Sequence, residues 1–170
     1  PCIGLAAALI AKKFPDEVMA VIYADHYIQN TSELQKKLLA AEKIVRKNPV
    51  IAIIEVKAEY PNPHLGYVKI GKLLEDDGDG TEVYELDRFV EKPSLETAQK
   101  YMQSYQYLWN TGLYVASVLT ILETYRKLAP EIYQNLADIS NGGDFKKLYE
   151  KCPKISIDYA IMEKVDPESV

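Results

Sequence analysis

The sequence predicts an α/β fold in a single unit, a mixed sheet flanked by helices. Two apolar runs, Val18–Ala24 (VMAVIYA) and Val50–Val56 (VIAIIEV), are continuous, as strands covered on both faces should be. A capped helical segment lies between them, and strand–helix–strand with both strands apolar argues for parallel pairing. The later strands are shorter and half-polar, and no internal repeat or linker interrupts the 170 residues.

In chain order, residues 1–14 read as a helix apolar on nearly every side (Ile3, Leu5, Ala6, Leu9, Ile10, Phe14), hence buried against the sheet. Pro15-Asp16 turns the chain into the first strand. Asn30 caps the next helix, with Glu33 three residues on as a capping box, and Asn48-Pro49 ends it near Lys47. After the second strand comes the stiff turn Pro61-Asn62-Pro63. Gly66–Ile70 and Val83–Val90 form a hairpin across the acidic loop Glu75–Gly80. Ser94 caps a helix to Tyr105, and Trp109–Ala116 is a strand interrupted by Asn110 and Gly112. Helices are expected at 117–128, 130–138 and 144–151, then a short strand Ile155–Ile157 and a helix Asp158–Val165. The tyrosines at 101, 105 and 107 read as packing residues.

Composition removes several function classes. Hydrophobic residues at 48% and charged residues at 26% exclude disorder, and a net charge of −5 argues against nucleic acid and anionic membranes as partners. The apolar run Ile3–Ala11 is too short to cross a bilayer, which takes ~20 residues, and lacks a basic segment before it. Cys2 and Cys152 match no disulfide framework and read as buried free thiols of a reducing compartment, so a cytoplasmic location is expected. A homo-oligomer is compatible with this composition. Glycine is scarce, with 8 residues, and no glycine-rich loop follows a first strand to cradle phosphates.

Five places could carry chemistry. The acidic loop resembles part of a calcium loop through Asp77, Asp79 and Gly80, but Leu86 stands where the final bidentate ligand belongs, so a solvated turn is the expectation. Asp25 directly follows the first strand, where open α/β sheets bind ligands; it reads either as a Mg²⁺ ligand or as a turn residue. Glu91-Lys92-Pro93 ends a strand, and its Lys is a good phosphate ligand and its Glu an acceptor for hydroxyls, unless the two merely pair with each other. Asn110, a polar amide in an aromatic strand, must find partners in a ligand or the backbone. Asp158 is either an N-cap or an active-site carboxylate.

Four segments together resemble one family. Tyr23-Ala24-Asp25-His26 is similar to P-A-D-H, Phe89–Pro93 matches F-x-E-K-P, Leu108–Gly112 resembles L-W-N-S-G, and Ser156–Lys164 resembles S-I-D-Y-A-x-M-E-K. Their order and spacing resemble those of mannose-1-phosphate guanylyltransferases, within the sugar-1-phosphate nucleotidyltransferases. The resemblance implies a Rossmann-like nucleotidyltransferase sheet, and attack of mannose 1-phosphate on the α-phosphorus of GTP with Mg²⁺ required. It makes Asp25 a catalytic metal ligand and Lys92 the catalytic ligand of the sugar phosphate. It places Glu91 and Asn110 on sugar hydroxyls, Gly66 at a backbone contact with the sugar, and Asp158 among the substrate-binding residues. Tyr23 departs from the family's proline, and Val68-Lys69 from a second Gly-Tyr. The family's G-G-x-G-x-R loop would precede Pro1 and its second metal carboxylate would follow Val170. Residues 1–170 are therefore expected to be an incomplete catalytic domain, its sugar-phosphate portion, with little activity alone. Another sugar nucleotidyltransferase, acting for example on glucose 1-phosphate, or a non-catalytic sugar-phosphate-binding subunit, are the alternatives.

Overall fold

The computed structural model describes residues 1–78 and 80–170. Its centre is a five-stranded sheet of β1 (Val18–Val21), β2 (Ala52–Lys57), β3 (Tyr67–Asp76), β4 (Glu82–Val90) and β5 (Tyr107–Ser117). The long strand β5 organises it. Its C-terminal half lies between β1 and β2, with Tyr114 opposite both Val21 and Ile53, and its N-terminal half between β2 and β3, with Trp109 opposite both Val56 and Tyr67. The β3–β4 hairpin extends the sheet beyond.

The α/β class stands, but every pairing among the described residues is antiparallel. The expected parallel pair does not form. β1 and β2 run in the same direction with β5 inserted between them, which leaves each as apolar as a parallel neighbour would. Side-chain alternation along β5 sorts the two faces. Leu113 and Val115 meet Ala41, Val45, Leu34 and Leu38 of α2 (Thr31–Lys47). Tyr114 and Ala116 face the larger core built with α1 (Cys2–Ala11), α4 (Val118–Leu128) and α5 (Pro130–Ser140). Fully buried side chains such as Leu136, Ile161 and Val118 each contribute roughly 1.5–3 kcal/mol there.

Helix starts follow the local chemistry. Asn30 Oδ1 accepts from the Glu33 N–H at 3.1 Å. Ser94, which opens α3 (Leu95–Ser104), accepts from Thr97, and Asp144, before α6 (Phe145–Lys151), accepts from Lys147. α1 is shorter than the sequence suggests and packs on α4 and α5 through Gly4, Ala7 and Ala8, leaving Leu9 and Phe14 exposed. Tyr101 stacks on Tyr107 at 3.7 Å, while Tyr105 is exposed. Cys152 is buried as expected; Cys2 is exposed. Ile155–Ile157 is no strand, and Asp158–Met162 forms a π-helical turn in place of a longer helix.

In the acidic loop, Asp76 and Asp77 are turn acceptors, taking the N–H groups of Gly78 and Thr81. Asp79, the middle residue of the calcium-like pattern, lies outside the described residues. No helix is long and apolar enough to cross a membrane among the described residues.

Candidate active site

One end of β4 sets the first wall. Beyond Val90, the chain turns through Glu91 and Lys92, and Lys92 holds φ +46°, a left-handed conformation rare for a lysine. Such strain persists only where surroundings enforce it. Pro93 follows, Ser94 caps α3, and the Glu91 N–H donates to Glu163 Oε1 at 3.2 Å. The Glu91 side chain is only 6% exposed, and its Oε1 receives Lys92 Nζ at 2.6 Å; the lysine itself is half exposed. The charge pair foreseen as an alternative therefore exists. It also leaves an ammonium at the surface with further donors to offer. The bond to Glu91 and the charges of Glu91, Tyr159 and Asp158 hold the Lys92 pKa above its ordinary value. The Tyr159 ring lies 6.0 Å from Nζ.

Gly66 lies against this carboxylate. A Cβ there would sit 2.5 Å from Glu91 Oε2 and 3.1 Å from Asn110 Cβ. Its carbonyl accepts the Asn110 N–H at 2.8 Å. Asn110 is tied by both ends of its amide: Oδ1 accepts from the Gly112 N–H at 3.0 Å and Nδ2 donates to Asp158 Oδ1 at 3.2 Å. Tyr114 donates its hydroxyl to the same Asp158 oxygen at 2.7 Å. Burial, reinforced by the Asp158 and Glu55 charges, drives the Tyr114 phenol far above its ordinary pKa, so it stays a donor.

Asp158 is thus no cap. It is the first residue of the π-helical turn, with Ile157 at the cap position and no capping bond from that side chain. Gly66, Glu91, Lys92, Asn110 and Asp158, far apart in sequence, converge on one constellation. Asp25 stands apart, exposed on the turn closed by the His26 N–H to the Tyr23 carbonyl. Its link to the others is Tyr23. That ring packs where a Gly112 Cβ would be, 2.6 Å from Tyr23 Cε2, and Gly112 has φ +73°. Glycine is required there on both counts. Burial first, then the charges of Asp158, Cys2 and Asp25, raises the Tyr23 pKa.

Three participants escape sequence reasoning. Glu163 holds the Glu91 backbone, and Tyr114 holds Asp158. Glu55 accepts the Thr111 N–H at 2.7 Å from within β2, and its burial drives its pKa well above the ordinary value. Glu55 carried a signal, a carboxylate in an otherwise apolar run, and Glu163 lies within the segment Ser156–Lys164 that carries the resemblance.

Among the described residues, no group of three or more His, Cys, Asp or Glu side chains is arranged to hold a metal. Asp25, the residue expected to hold a metal, is exposed, and an ion such as Mg²⁺ is normally held by one or two carboxylates with substrate phosphates. The constellation itself mixes acceptors, an amide and one ammonium. This set suits a polyhydroxylated, phosphorylated molecule.

The sequence model of the nucleotidyl transferase family matches residues 1–151. The chain is 33% identical over 174 residues to a mannose-1-phosphate guanylyltransferase of Escherichia coli and 32% identical over 174 residues to one of Klebsiella pneumoniae. Each match covers 96% of this chain but 37% and 36% of the relative, so the chain spans little more than a third of their length. The crystal structure of a mannose-1-phosphate geranyltransferase from Thermus thermophilus superposes with a TM-score of 0.85 at 27% identity, covering 96% of this chain and 47% of that one. A mannose-6-phosphate isomerase from Helicobacter pylori shares the fold, with a TM-score of 0.80 at 22% identity over 97% of this chain and 64% of that one. With most of its length matched by the family and its fold shared with these structures, the chain belongs to the nucleotidyl transferase family.

Proposed function

We propose that the protein to which this chain belongs transfers GMP from GTP to mannose 1-phosphate, giving GDP-mannose and pyrophosphate. The observation that carries the reading is the convergence of Gly66, Glu91, Lys92, Asn110 and Asp158, from four separate segments, around one bare stretch of backbone. The names of the relatives supply the sugar and the base.

In this reading, Lys92 grips the phosphate of the sugar phosphate with the donors that Glu91 leaves free. Glu91 Oε2 and the Asn110 amide meet sugar hydroxyls, and Gly66 lets the sugar approach the backbone. Asp158 Oδ1 is used twice, by Asn110 and Tyr114, so Oδ2 is the oxygen left for a hydroxyl. Asp25 is a ligand of Mg²⁺, which neutralises phosphate charge when bound. A phosphate oxygen of mannose 1-phosphate attacks the α-phosphorus of GTP. A new P–O bond forms, the bond to the bridging oxygen breaks, and pyrophosphate leaves with the electron pair. The nucleophile is already an oxyanion, so no strong base is needed, and positioning and charge stabilisation are what the residues supply. In this reading the protein is a cytoplasmic enzyme of small molecules, and its net charge of −5 disfavours anionic macromolecules as partners.

The test is pyrophosphorolysis by the full-length protein of GDP-mannose against UDP-glucose. A clear preference for GDP-mannose is expected. Preference for UDP-glucose would overturn the mannose assignment, and loss of both activities the enzymatic one.

A further inference from the structure

β5 carries an interruption that the site depends on. Ile54 pairs with Leu113 and Val56 with Trp109. One residue of β2, Glu55, therefore faces three of β5, residues 110–112. Two extra residues in a central strand should leave unpaired amides, which are costly when buried. They are nevertheless accounted for one by one. The Asn110 N–H goes to the Gly66 carbonyl at 2.8 Å. The Gly112 N–H goes to the Asn110 side chain and the Leu113 N–H to Thr111 Oγ1. The Thr111 N–H goes to Glu55 Oε2 at 2.7 Å, and Thr111 Oγ1 donates back to the Ile54 carbonyl. Of these acceptors, only Glu55 is a side chain from outside the bulge.

We propose that Glu55 is a positioning residue of this site: its carboxyl stands in for the missing rung of the sheet and fixes the bulge that presents Asn110. Without it, the Thr111 amide would have to seek a new acceptor, and the neighbouring amide of Asn110 would turn with it. The carboxyl's second oxygen, Oε1, is buried with no hydrogen-bond partner among the described residues. The group is thus committed to the bulge rather than shared with solvent. As a statement about sugar-phosphate binding, the proposal rests on the guanylyltransferase reading; as a statement about the bulge, it does not.

The experiment compares the full-length wild type with Glu55→Leu, which keeps the volume but has no acceptor, and Glu55→Gln, which keeps an acceptor. Kinetics and amide hydrogen exchange across residues 108–114 are read together. Glu55→Leu should raise the KM for mannose 1-phosphate by roughly five- to thirtyfold, the effect of one or two hydrogen bonds, with kcat and the KM for GTP within about twofold. Its Thr111 amide should lose protection. Glu55→Gln should restore both the KM and the protection. An unchanged mannose 1-phosphate KM in Glu55→Leu, an equal rise for both substrates, or failure of Glu55→Gln to restore the KM would overturn the proposal. Should Glu55→Leu not fold, Glu55→Gln and the wild-type exchange decide: an unprotected Thr111 amide in the wild type sinks it. A wild type inactive on GDP-mannose defeats the functional reading instead, and exchange alone then judges the bulge.

Discussion

Replacing Gly66 with alanine tests the close approach at the heart of the site. Gly66 has no positive φ, so alanine is free to take its backbone conformation. On that ground alone, the change would stabilise the protein by about 0.4–1 kcal/mol through the unfolded chain. The added methyl, however, would lie 2.5 Å from Glu91 Oε2, 3.1 Å from Asn110 Cβ and 3.3 Å from Asn110 Nδ2. None of these neighbours moves cheaply. The Glu91 side chain is 6% exposed and bonded to Lys92, and Asn110 is held by Gly112 and Asp158. Overpacking of this kind costs about 1–3 kcal/mol, so against the unfolded-chain gain the net expectation is a loss of up to about 2.6 kcal/mol. Denaturant unfolding of Gly66→Ala against the wild type measures it. The same displacement of Glu91 and Asn110 should raise the KM for the sugar phosphate more than that for GTP. Glu91→Asp, with a shorter side chain, should recover part of the lost stability when combined with Gly66→Ala, a positive coupling in a double-mutant cycle. A Gly66→Ala variant as stable as the wild type, with an unchanged KM, would refute the close approach and the sugar contact built on it.

Lys92→Ala should lower kcat/KM for mannose 1-phosphate by about tenfold to a hundredfold, the effect of a charge-assisted phosphate contact; unchanged kinetics would confine Lys92 to its pair with Glu91. Asp25→Asn should weaken Mg²⁺-dependent turnover by at least about tenfold. Because Asp25 is exposed, that variant's stability should stay within about 0.5 kcal/mol of the wild type, and loss of folding would instead assign Asp25 a structural part. Glu55 adds a pH dependence to stability, because its folded pKa is raised well above its ordinary value by burial. The folded state favours the protonated form, so this contribution is full below the ordinary carboxyl range and is lost as pH rises through the folded pKa. Glu55→Gln cannot ionise, so its unfolding free energy should fall less over that rise than the wild type's. Parallel pH profiles of the two proteins would contradict a buried neutral carboxyl.

How much of this was legible in the sequence depends on which physical signal each feature leaves. Helix starts leave local ones: Asn30 and Ser94 could be named as caps because their acceptors reach only three residues along the chain. Burial also leaves a signal, and the apolar runs at 18–24 and 50–56 do fall on sheet strands. What those runs could not reveal is the neighbour. A strand covered on both faces looks the same beside a parallel partner as beside β5, so the parallel pairing was a reasonable inference and a wrong one. Asp158 shows the same limit in a side chain. Its position after Ser156-Ile157 suits a cap, yet two long-range donors, Asn110 and Tyr114, claim its Oδ1. The candidate site residues could be singled out because a carboxylate and an ammonium at a strand end, and an amide inside an aromatic strand, are out of place without partners. Their supports stayed hidden because a tyrosine hydroxyl or a distant glutamate becomes informative only once the chain has brought it to its partner. Glu55 lies between these cases. A carboxylate within VIAIIEV breaks the apolar pattern as plainly as Asn110 breaks the pattern of β5. Glu55 and the bulge that contains Asn110 face each other across the sheet, and Glu55 supplies the acceptor that the Thr111 N–H lacks. Paired violations of pattern on strands of unknown pairing are therefore themselves evidence of register, a constraint that either residue alone does not supply.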